Sequence, residues 1–71
     1  MTQYQQQIDA NQLNQAKANV TLSQNLLLQA IEKSFSDPIL AQEAIKQAAV
    51  EIAEAQSAVS QVRSVIYNEN I

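Results

Sequence analysis

Cysteine, histidine, glycine and tryptophan are absent from this 71-residue sequence, and proline occurs once. Each absence removes a class of chemistry. Without cysteine there is no disulfide framework, and without cysteine or histidine there is no thiolate or imidazole zinc site. Catalytic triads that rely on histidine or cysteine are excluded for the same reason. Phosphate loops and dinucleotide fingerprints need glycine to bring the backbone against a phosphate, so neither is present. The lack of cysteine also fits a reducing compartment. A chain of this length makes one domain at most.

Positive charge is scarce too. Four Lys/Arg against seven Asp/Glu leave a net charge of −3. Four cations neutralise few phosphates, so nucleic acid is not an expected partner. Apolar runs are short, Leu26–Leu28 among the longest, far below the roughly 18 residues of a transmembrane helix. Membrane insertion is therefore not expected. Met1 to Gln7 is polar and uncharged, unlike the basic start of a secretory signal. The expectation is a soluble, cytoplasmic protein.

What is present favours helix. The chain holds eleven Ala, twelve Gln and six Asn, and its apolar share of 46% is too high for a typical disordered tail. Glycine and proline, the two worst helix formers, are nearly missing. The one strong break is Ser34-Phe35-Ser36-Asp37-Pro38. Asp37 reads as an N-cap whose carboxylate accepts an orphan backbone N–H, and Pro38 as the first helical residue, where no donor is needed. Pro38 also pushes Asp37 out of the α region, so a preceding helix stops before it. The pattern predicts an all-α fold, a single antiparallel two-helix hairpin over residues 1–71. Helix 1 runs over about 3–33, the turn over about 34–37 and helix 2 over about 38–67. Thr2 with Gln5 is a weak capping box for helix 1. The Gln/Asn-rich stretch from Gln3 to Gln15 reads as a solvated, fraying start to that helix, since Ile8, Ala10 and Leu13 interrupt it at helical spacing.

Periodicity supports a coiled-coil-like seam. In helix 2, Ile45, Ile52, Val59 and Ile66 recur every seven residues, and Ala41, Ala48, Ala55 and Val62 form a second sevenfold series. Helix 1 repeats the device with large Leu13, Val20 and Leu27 and small Ala16, Ser23 and Ala30. The expected hairpin core is Leu13, Val20, Leu27, Ile45, Ile52, Val59 and Ile66. Other apolar residues fall outside that seam. Leu22 and Leu26 share a face with Ile8, Leu28 shares another with Phe35, and Ala44, Ala58 and Val65 lie beside the helix 2 seam. A two-helix hairpin has one internal interface and cannot cover them all. Leu22, Leu26, Leu28, Ala58 and Val65 are therefore the expected partner-binding residues, and completion of the fold by a partner or by oligomerisation is expected.

Catalytic chemistry is thin. Glu51 and Glu54 are three apart, and helix 1 offers only Asp9 and Glu32 as facing acids, near opposite ends. Solvated helix surface is the better reading of these carboxylates. Glu43 and Lys46 read as a surface pair. A Ser–Lys dyad is formally available, but nothing builds an oxyanion hole and no loop is long enough for a pocket. No catalytic, cofactor-binding or metal-binding residue is assigned, and enzyme activity is not expected.

Asp37-Pro38, then a helix carrying Gln42, Ala44, Ile45 and Gln47 and ending in Ile66-Tyr67-Asn68, resembles the small co-chaperones of the type III secretion needle subunit. The resemblance covers residues 37–68 best. The Gln-rich first third of helix 1 departs from it. Such proteins are antiparallel helical hairpins that serve a virulence apparatus. The resemblance implies pairing with a larger helical-repeat chaperone, which holds the amphipathic C-terminal helix of the needle subunit and keeps it soluble and monomeric before export. Two alternatives stand beside this one. The first is a homo-oligomeric structural protein, either a four-helix dimer or a needle-like filament subunit. The second is a small regulator or inhibitor from a mobile element.

Overall fold

The computed structural model describes residues 8–69, with side chains through Val65. It is an all-α antiparallel hairpin of two helices, α1 (Ala10–Lys33) and α2 (Pro38–Glu69). At 1.5 Å per residue they are about 36 and 48 Å long. Among the described residues no helix is long and apolar enough to cross a membrane.

The turn forms for the reasons legible in the sequence. The Asp37 carboxylate accepts from the Leu40 amide at 3.1 Å, and its carbonyl accepts the first α2 hydrogen bond from Ala41 at 3.0 Å. Pro38 opens the helix. On the other side of the turn, Ser34 caps α1 by returning its amide and its hydroxyl to the Ile31 carbonyl. The start of α1 differs from expectation. The helix begins at Ala10 rather than near residue 3, because Asp9 is extended and its carboxylate accepts from the Gln12 amide at 3.1 Å. A short acid that satisfies an orphan donor defines a helix start better than a run of glutamines does. Thr2 and Gln5 lie outside the described residues.

The core also differs from expectation. The buried residues are Ala16, Ser23 and Ala30 on α1 and Ala41, Ala44, Ala48, Glu51, Ala55, Ala58 and Val62 on α2. Apart from Glu51, nothing larger than valine is buried among the described residues. Ala16 packs with Ala55 and Ala58 toward the open end, and Ala30 packs with Ala41 and Ala44 beside the turn. Ser23 and Ala48 lie midway between these clusters, and the Ser23 hydroxyl is satisfied by the Val20 carbonyl at 2.7 Å.

Leu13, Val20, Leu27, Ile45, Ile52 and Val59 therefore do not form the hairpin core; all six are exposed. The seventh residue expected there, Ile66, lies outside the described side chains. The reason is a choice of flank. The Ala41 series combines with the Ile45 series at spacings of four and three, and with the Ala44–Glu51–Ala58 series at three and four. Either pairing satisfies a heptad. The hairpin takes the second, and on α1 it likewise sets Gln12, Asn19 and Leu26 beside the small series. Small residues on both helices let the backbones approach closely, which leaves the large residues to one side.

Candidate interaction surface

The displaced large residues form one continuous surface. Leu13, Val20 and Leu27 run along α1 beside the alanine seam, and Ile45, Ile52 and Val59 run along α2, so each helix carries three large residues seven apart. In its open half the face holds a groove of about 770 Å³, walled by Leu13 and Val20 from α1 and Ile52 and Val59 from α2. Ala16, Ser23 and Ala55 form its floor, and Lys17 and Arg63 lie on its rim. Ile31, one turn beyond Leu27, extends the face toward the turn and is 71% exposed.

Exposure of the six large residues runs from 38% to 52%. Fully burying one such side chain contributes roughly 1.5–3 kcal/mol, so what remains uncovered on this face amounts to about 4–8 kcal/mol. The six differ from the other exposed apolar residues in lying along one flank of the seam, and a contiguous apolar patch marks an interaction site.

The opposite flank is polar toward the open end. Gln12 donates its side-chain amide to Gln61 across the hairpin. Asn19 Nδ2 donates to Glu51 Oε1 at 2.6 Å and to Glu54 Oε1 at 3.2 Å. Gln47 Nε2 donates to Glu51 Oε2 at 2.8 Å. Glu51 is 8% exposed, yet both carboxylate oxygens have a donor, which is the condition for burying such a group. The reading of Glu51 as solvated surface is thus corrected: it sits in the seam one heptad from Ala44 and Ala58. The signal was Asn19, which with Gln12 one heptad earlier puts amides in the matching position of α1. The exposed Lys46–Glu43 pair, at 3.6 Å, is present as the spacing suggested. Among the described residues no cluster of three or more His, Cys, Asp or Glu could hold a metal.

The expected partner-binding residues do not form one patch. Ala58 is buried in the hairpin, and Leu26 packs against Ala30, Ala41 and Ala44. Both belong to the intramolecular seam, because they occupy the flank that the helices chose. Leu22, Leu28 and Val65 are exposed. Leu22 and Leu28 stand about 120° apart around α1, at 100° per residue, and Val65 continues the Ala44–Glu51–Ala58 line on the other helix. What sequence reasoning missed as a surface is the set it had assigned to the core. Comparison with protein-family models, curated proteins and solved structures gives no match for this chain.

Proposed function

We propose that the chain is a non-enzymatic binding module that acts as a helical adaptor by laying its apolar face against helices of another protein chain. The observation that carries this reading is the row of six large apolar residues left beside an alanine seam. A hairpin whose own interface is made of methyl groups gains most of its further burial from a partner, and helix-in-groove docking is the geometry that two apolar walls over a small-residue floor accept. In the form given by the resemblance of residues 37–68, the module is a cytoplasmic co-chaperone of type III secretion. It pairs with a helical-repeat chaperone, and together they keep the needle subunit soluble and monomeric.

Co-expression with a helical-repeat chaperone of a type III secretion needle and with its needle subunit tests this reading. Size-exclusion chromatography with light scattering reads the result. A defined hetero-complex is expected for the wild-type chain and is lost with Val20→Asp. If the chain elutes without either protein in every combination, the co-chaperone reading fails.

A homo-oligomeric role is the second reading. It is favoured by the even, seven-residue spacing of the large residues on both helices, which is self-matching.

A further inference from the structure

We infer that the Asn19–Glu51 pair is a latch between two packings of this hairpin: the one described above, which leaves the apolar face open, and a counter-rolled one, in which the two helices bury that face against each other. The inference rests on the adaptor reading only in taking that face as the binding surface.

Each helix carries its small series between two flanks of the same sevenfold period. In the middle layer, Asn19 and Val20 stand on either side of Ser23 on α1, and Glu51 and Ile52 on either side of Ala48 on α2. The two flanks of a helix are thus neighbouring residues, about 100° apart, and a roll of about 50° per helix exchanges one seam for the other. Asn19 meets Glu51 on one side of the hairpin, and Val20 and Ile52 wall the groove on the other. Matching flanks therefore share a side, the two rolls are opposite in sense, and the small residues stay in the seam throughout.

Both packings satisfy the ordinary rules for a core. The present seam buries methyl groups and one carboxylate whose two oxygens both have donors. The rolled seam buries six large apolar residues that are now only about half covered. Its one polar residue is Ser23, already satisfied by the Val20 carbonyl. On the flank that the roll releases to water, Gln12, Asn19 and Glu51 are polar and Ala44 and Ala58 are small, which leaves Leu26 as the large apolar residue newly exposed. Two packings of one sequence that lie close in free energy make a switch. The Asn19–Glu51 bond crosses between the helices and is lost in the rolled packing, so it biases the hairpin toward the open face. A partner on that face adds to the same bias, since it binds one packing and not the other.

The sequence has no cysteine, so Val20→Cys with Ile52→Cys in one chain reports the seam. The two positions stand on opposite walls of the groove in the present packing and face each other in the rolled one. Two backgrounds push the latch in opposite directions. Asn19→Glu sets a carboxylate against Glu51 and Glu54 in the present seam, where like charges repel, and places it in water in the rolled one. Asn19→Leu with Glu51→Ala copies into the middle layer the Leu26–Ala44 packing found beside the turn, and so holds the present seam. Under mild oxidation at low micromolar concentration, the disulfide-closed monomer is expected to be the main product in the Asn19→Glu background. It is expected to be the minor product in the Asn19→Leu, Glu51→Ala background, with the unaltered latch between the two. Circular dichroism of the same backgrounds without the cysteines is expected to show equal helix content.

Equal closure in all three backgrounds overturns the inference. So does loss of helix in Asn19→Glu while Asn19→Leu with Glu51→Ala stays folded, since the hairpin then has no second packing to adopt. Closure that follows the latch, with a co-expressed complex that survives Val20→Asp, upholds the switch and sinks the adaptor reading. Closure that ignores the latch, with a complex that Val20→Asp abolishes, sinks the switch and leaves the adaptor reading standing.

Discussion

Asn19 on α1 reaches Glu51 on α2 with a 2.6 Å hydrogen bond across the middle of the hairpin. The bond joins the centre of one helix to the centre of the other, and Gln47 occupies the second carboxylate oxygen. Alanine layers slide past one another with little penalty, since one methyl group resembles the next. A buried carboxylate that needs a particular amide opposite it does not tolerate such a slip. Asn19 and Glu51 thus supply the register that the methyl groups leave open. Asn19→Ala is expected to cost about 1–3 kcal/mol, because it leaves a buried acceptor short of a donor. Urea unfolding followed by circular dichroism checks this. The pair Asn19→Ala with Glu51→Ala should recover part of the loss, as a coupled pair does. Strict additivity of the two would contradict the role.

The alanine seam predicts an inverted mutational pattern. Ala48 is 1% exposed, so Ala48→Leu forces the helices apart and is expected to cost about 1–3 kcal/mol. Ile52→Ala, on the exposed face, should leave the helix content of the monomer nearly intact. Thermal melts at low micromolar concentration separate the two. Greater damage from Ile52→Ala in a monomeric sample would restore the large residues to the core.

Leu22 and Leu26 are four apart on α1, yet their substitutions should differ. Leu26 packs on Ala30, Ala41 and Ala44, so Leu26→Asp is expected to reduce helicity. Leu22 is exposed, and Leu22→Asp should stay within about 0.5 kcal/mol of the parent, the range of a surface change. Equal loss of helix in both variants would show that Leu22 is also part of the seam.

The caps give a fourth expectation. Asp37→Ala removes the acceptor of the Leu40 amide and should cost about 0.5–2 kcal/mol. Asp9→Ala removes the matching acceptor of the Gln12 amide, at the open end. Both are readable in one set of denaturant titrations, and an unchanged midpoint for Asp37→Ala would contradict its role in starting α2.

The hairpin and its turn were legible in the sequence because they depend on local chemistry. Asp37-Pro38 dictates where α2 starts, and the sevenfold series dictate two helices of matching period. The flank was not legible. Leu13 and Gln12, or Ile45 and Ala44, are equally good heptad partners for the small series, and period alone does not choose between them. Size suggested that the large residues go inside. Close approach of two alanine-lined helices, together with the Asn19–Glu51 bond, chose otherwise. Asp9 shows the same lesson at the N-terminal side: a single capping acid outweighed a longer helical pattern. With the flank reversed, the residues expected in the core became the candidate surface, while Ala58 and Leu26 moved from surface to seam.

The most direct measurement compares Ile52→Asp with Leu22→Asp by analytical ultracentrifugation, each alone and with the candidate helical-repeat partner. The two residues are comparably exposed but lie on different flanks of the hairpin. If the apolar face is the binding surface, Ile52→Asp abolishes every association while Leu22→Asp behaves as wild type, and both keep their helix content as monomers. The opposite result, with association surviving Ile52→Asp and lost in Leu22→Asp, would place the partner on the outer side of α1 and contradict the account.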